Sequence, residues 1–131
     1  MPYVQGSMQA LIKRFLTHWL PLYLYAGIIF YMSSLSHPLP KVSIPYFDKF
    51  LHLVEYAILG ILAARAFKNS PREKLSRNFI ILAIIAAAAY AASDEFHQSF
   101  IPFRSCDALD LTVDVIGGTI GAVIYGKYRA F

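Results

Sequence analysis

Four long apolar blocks, separated by short polar connections, organise the chain at about 15–33, 49–67, 79–96 and 107–125. Each approaches the roughly 20 residues that cross a bilayer as a helix, and none shows the narrow amphipathic stripe of a water-soluble bundle. The expected fold is therefore all-α, a four-helix transmembrane bundle forming one domain over 1–131. The first block reads as a retained helix, because no small-residue cleavage site marks it as a leader and three more apolar blocks follow. Pro21 predicts a kink or an early helical turn within it. Trp19, Tyr23, Tyr25 and Tyr31 are candidate interfacial anchors. Pro38, Pro40 and Pro45 break any helix and predict an extended first loop. Alanines dominate the third block, and Gly117, Gly118 and Gly121 line the fourth; such small residues let helix backbones approach closely in lipid.

Composition agrees with the pattern. With 57% apolar and only 15% charged residues, a soluble domain of 131 residues could not cover its surface. The net charge of +4 does not indicate nucleic acid, because the basic residues lie between apolar blocks rather than in one basic face. They are topology signals instead. Nine of the twelve, Lys13, Arg14, Arg65, Lys68, Arg72, Lys74, Arg77, Lys127 and Arg129, fall on the tails and the second loop. The positive-inside rule then places both termini in the cytoplasm, and the expected location is the inner (cytoplasmic) membrane of the cell. Cys106, the single cysteine, excludes an intrachain disulfide and reads as a small, semi-buried side chain.

On this topology seven of the eight acidic residues, all but Glu73, gather in the outer half with His37, His52 and His97. Asp48, His52 and Glu55 are spaced by four and three residues, which predicts one polar face on the second helix. Asp107, Asp110 and Asp114 form a matching face on the fourth helix, continued downward by Gly118 and Gly121. Asp94 can meet His97 and Gln98 if the third helix persists that far. Asp107 also stands where a helix takes an N-cap. Ionisable groups inside a membrane are costly and mark candidate sites. Glu55, Glu95, Asp94, His52 and His97 are the candidate acid/base residues. Asp48, Lys49, Gln98, Arg104, Asp107, Asp110 and Asp114 are the candidates for binding. Arg104 could hold an anionic group or lock its loop to the helices. His18 reads as structural, and Tyr56 and Tyr90 as packed side chains with satisfied hydroxyls.

Asp48-Lys49-x-x-His52-x-x-Glu55-Tyr56, Ser93-Asp94-Glu95-Phe96-His97-Gln98, Pro102-Phe103-Arg104 and the aspartates and glycines after them resemble the VanZ-like family of small membrane proteins. The resemblance runs from Asp48 to Gly121; Phe103 departs from it, standing where relatives often carry glycine. It implies a bacterial cell-envelope protein connected with tolerance to glycopeptide antibiotics, teicoplanin above all, and it implies no particular reaction.

Three classes of function fit these residues. The leading one is an outward-facing polar site that binds or modifies an envelope component, such as a lipid-linked or peptidoglycan-related molecule; as an enzyme it would be a hydrolase or transferase. A divalent metal is one option there, with His52 and His97 as candidate zinc ligands, or carboxylates alone around magnesium or calcium. The second class is a proton- or cation-coupled transport or binding module, which a narrow four-helix unit would build as an oligomer. The third is an assembly protein whose polar cluster only holds the helices together.

Overall fold

The computed structural model describes residues 2–36 and 44–128, all helix and connection. The first helix, α1 (Pro2–Arg14), passes through a π-helical turn at Phe15–Trp19 into α2 (Leu20–Ser33). After the loop come α3 (Phe47–Lys68), the short α4 (Glu73–Arg77), α5 (Phe79–Gln98) and α6 (Ala108–Tyr128). Four segments are long and apolar enough to cross a membrane: Ser7–Ser33, Phe47–Lys68, Phe79–Gln98 and Ala108–Tyr128. His37, Pro38, Pro40, Lys41 and Arg129 lie outside the described residues.

The first helix starts well before the expected residue 15. Met8, Leu11, Ile12 and Phe15 continue its apolar face at helical spacing, and nothing between them breaks a helix. The π-turn answers to Pro21. A proline ring crowds the carbonyl four residues back and donates no hydrogen bond; here the helix widens one turn earlier, with the Leu20 N–H donating to the Phe15 carbonyl, five residues back. The basic second loop also holds more structure than expected, because Ser76 donates to the Lys68 carbonyl at 2.7 Å and closes the chain around α4.

Packing is reversed relative to a soluble bundle. Large apolar residues such as Leu24, Ile28, Ile81 and Ile85 are exposed, while Ala63, Ala64, Ala83, Ala87, Ala91 and Ala122 are buried. Lipid solvates the outer face as well as a core would, so helices associate through close backbone contact. The closest contact joins α3 to α6. A Cβ added at Gly60 would meet the Gly118 backbone; at Gly117 it would meet Leu53, and at Gly121 Ala57. Helix α5 lays Ala83, Ala87 and Ala91 against this pair, and α2 joins α3 and α5 more loosely.

Ile101–Arg104 closes the turn between α5 and α6, with the Arg104 N–H donating to the Ile101 carbonyl at 3.1 Å. Pro102 takes the second position, and Phe103 takes the third at φ 65°, where a type II turn calls for glycine. A β-carbon costs about 1 kcal/mol in that left-handed region. Phe103→Gly is thus expected to stabilise the fold by about 0.5–1 kcal/mol, seen as a higher Tm in detergent. Phe103→Ala keeps the β-carbon and should give no such gain.

Candidate functional site

The N-terminal ends of α3 and α6 and the C-terminal end of α5 bring the polar residues together in layers. At the mouth, Lys49 Nζ donates to Asp107 Oδ2 at 2.9 Å and to Asp110 Oδ1, with Asp48 Oδ2 at 3.3 Å. Asp107 also caps α6, its Oδ1 accepting from the Leu109 N–H at 2.8 Å. The Lys49 ammonium, helped by this cap, holds the Asp107 carboxyl below its ordinary pKa.

One layer deeper, His52 Nδ1 lies 3.0 Å from Asp114 Oδ1 across the α3–α6 contact. With Asp114 ionised, the His52 Nδ1–H donates to Asp114 Oδ1, which leaves proton exchange to Nε2. Glu95 Oε2 accepts from the Asp107 N–H at 2.8 Å, tying α5 to the start of α6. Gln98 Nε2 donates to Asp94 Oδ2 at 3.0 Å, since α5 persists to Gln98 as that spacing requires. Each of these buried carboxylates keeps a second oxygen, Asp94 Oδ1, Glu95 Oε1 and Asp114 Oδ2, without a hydrogen-bond partner among the described residues. The Tyr56 hydroxyl, fully buried on α3, is in the same condition. Glu55 is half-buried beside it, within electrostatic reach of His52, Asp114, Asp94 and Arg104.

The polar face of α3 is turned by one residue from the expected stripe. Asp48 is 66% exposed and Lys49 only 17%, so the inward positions are Lys49, His52 and Tyr56. The glycine contacts set this rotation: Leu53, Ala57 and Gly60 must face α6, which carries Lys49 and His52 to Asp110 and Asp114.

His97 turns away from Asp94 and toward the first helix. Its Nε2 lies 3.0 Å from Ser34 Oγ, and its ring stacks on Phe30 with centroids 4.5 Å apart. Ser34 gives its own proton to the Phe30 carbonyl, so His97 Nε2 is the donor. Arg104 Nη1 donates to the Ser33 carbonyl at 3.1 Å, fastening the α5–α6 loop to the end of α2. Ser33 and Ser34 were not legible as site residues; a serine pair closing the first apolar block was the available signal. Tyr25 and Tyr90 complete the attachment of α2 through the Glu55 and Ala26 carbonyls, at 3.1 and 2.5 Å. Tyr90 thus has the satisfied hydroxyl expected of it, and Tyr56 does not.

His52 and His97 therefore engage different helices, and among the described residues no group of three or more His, Cys, Asp or Glu is arranged to hold a metal ion. Cys106 is exposed rather than semi-buried.

Comparison with curated proteins and with solved structures finds no match. Comparison with protein families finds VanZ/LLP1, matched over residues 2–129. That match spans the first helix as well as the polar site, so this multi-pass membrane protein belongs to the VanZ/LLP1 family.

Proposed function

We propose that the protein works in the cytoplasmic membrane of a bacterial cell, with both termini in the cytoplasm, binding or modifying an envelope component at an outward-facing polar site. The distribution of basic residues supports this orientation. The observation that carries the reading is the His52–Asp114 pair, enclosed between α3 and α6 with Glu55 one helical turn inward. Asp114 orients the imidazole, and Nε2 can take a proton from a substrate hydroxyl or water; Glu55 and Glu95 are the neighbouring carboxyls through which that proton moves on. Arg104, within electrostatic reach of Glu55, fastens the α5–α6 loop to the end of α2 and retains further donors for a polar headgroup. The family's association with teicoplanin tolerance follows as a consequence of altering the envelope.

The test is tolerance to teicoplanin in a susceptible host expressing the wild-type chain, Glu55→Gln or Glu95→Gln, with membrane levels measured alongside. General acid/base groups contribute about 100-fold or more in rate, so both variants should accumulate normally and lose tolerance. Unchanged tolerance in both would overturn the reading. Proton or cation flux through reconstituted vesicles that disappears in the same variants would favour the transport module instead.

A further inference from the structure

The part of the first helix that precedes the π-turn stands apart from the bundle. Among the described residues α1 packs against no element except that turn. Beside the bundle, the register of the helix is fixed at both ends. At the polar-site end Arg104 holds the Ser33 carbonyl and His97 meets Ser34. At the opposite end the Trp19 indole meets Phe67 edge-on, ring centroids 5.3 Å apart, one residue before α3 ends. The helix from Phe15 to Ser33, about 20 residues, already covers roughly 30 Å, the thickness of the hydrocarbon core. The 13 residues of α1 lie beyond it and add about 20 Å of helix.

That excess is not a polar tail. Met8, Leu11, Ile12 and Phe15 share one face at helical spacing, and all four are exposed. Ala10, Lys13 and Arg14 occupy the other side. A contiguous apolar stripe of this kind marks a contact surface. Sliding it into the hydrocarbon core would carry Lys13 and Arg14 in with it and break the contacts of Trp19, Ser33 and Ser34. The boundary between headgroups and acyl chains satisfies both faces, because the stripe enters the chains while the basic side chains reach lipid phosphates. The same end of the bundle exposes Arg72, Lys74, Arg77 and Lys127 beside one acidic side chain, Glu73. The surface that complements this charge is anionic. Lying along it requires a bend. Helices kink at π-turns and at prolines, and Phe15–Trp19 and Pro21 place one of each between α1 and the spanning segment.

We propose that α1 is an in-plane anchor: it turns at the π-turn to lie along the leaflet at that end of the bundle, its apolar stripe in the acyl boundary and Lys13 and Arg14 on anionic phospholipid headgroups. The inference is independent of the chemistry at the polar site.

Full-length protein carrying Cys106→Ser and one spin-labelled cysteine, Met8→Cys, Ile12→Cys or Ala10→Cys, would be placed in nanodiscs of phosphatidylcholine with or without phosphatidylglycerol. Collisions of each label with oxygen and with a water-soluble nickel chelate would then be compared. With phosphatidylglycerol present, the Met8→Cys and Ile12→Cys labels should favour oxygen and the Ala10→Cys label the chelate, because only an interface separates two faces of one helix. Adding Lys13→Gln and Arg14→Gln should lower the ratio of surface-bound to free α1 about fivefold per charge removed. The Tm of the bundle should not change, since α1 packs against none of its other helices.

Chelate access on both faces would show a helix projecting into water and overturn the proposal, as would oxygen preference on both faces, which would place α1 inside the hydrocarbon. Shielding of the Met8→Cys and Ile12→Cys labels from both reagents, with spin–spin broadening that vanishes on dilution with unlabelled protein, would assign the stripe to a second copy of the chain and overturn it too. So would equal behaviour with and without phosphatidylglycerol, or in the charge variant.

Discussion

Gly121→Ala should remove most of the folded protein from detergent extracts, although it adds a single methyl group. The new Cβ would fall on the carbonyl group of Ala57, which belongs to the α3 backbone and cannot rotate away as a side chain can. Helices α3 and α6 must separate along the contact that also carries His52 and Asp114. Overpacking typically costs 1–3 kcal/mol and more where backbone must move; a loss of about 3 kcal/mol is expected. Two internal controls test the explanation. At Gly27 a Cβ meets nothing within 4 Å, so Gly27→Ala should stabilise α2 slightly. At Gly126 it meets the flexible end of Ile80, 2.7 Å away, which can shift at modest cost. Equal Tm losses at Gly27 and Gly121 would refute the backbone-contact account.

His52→Ala is expected to cost about 3–5 kcal/mol, the range for stripping one partner from a buried pair. Asp114 is fully buried, and without His52 neither of its oxygens would have a hydrogen-bond partner among the described residues. The penalty belongs to the abandoned carboxylate more than to the lost contact. Replacing both members by apolar residues, His52→Leu with Asp114→Leu, should therefore recover much of the stability lost in His52→Leu alone. A double-mutant cycle by denaturant unfolding should report a coupling of about 2–3 kcal/mol; additive losses would show that the two side chains do not act as a pair. Teicoplanin tolerance should stay absent in the double variant even as stability returns. That separation divides a site with a job from a polar girder, since a girder would regain its function along with its fold.

The four spans were legible because a bilayer imposes a demand that each segment meets alone: about 20 apolar residues in a helix. Helix ends were legible to within a few residues wherever a local signal existed, as with Asp107, whose short side chain caps α6 from the adjacent position. The early start of the first helix was missed because Lys13 and Arg14 interrupt its hydropathy without interrupting its hydrogen bonding. The resemblance to VanZ-like proteins was carried by motifs within Asp48–Gly121, and the family match extends from 2 to 129.

Which polar residues share a region was readable in the same way, since charge placement and span count order the chain across the membrane. Their partners were not. Asp48, His52 and Glu55 share a face by local spacing, yet the inward face of α3 carries Lys49, His52 and Tyr56. A turn of one residue about the helix axis makes that difference, and contacts of Gly60, Gly117 and Gly121, distant in sequence, decide it. The same holds for His97, drawn to Ser34 at the end of another helix, and for the strained turn at Phe103 that aims Arg104 toward Ser33. Sequence by itself determined what each segment must do to live in a membrane, because hydropathy and helical period act within a segment. Only the tertiary structure decided which charges meet, because helix rotation is set by backbone contacts between segments.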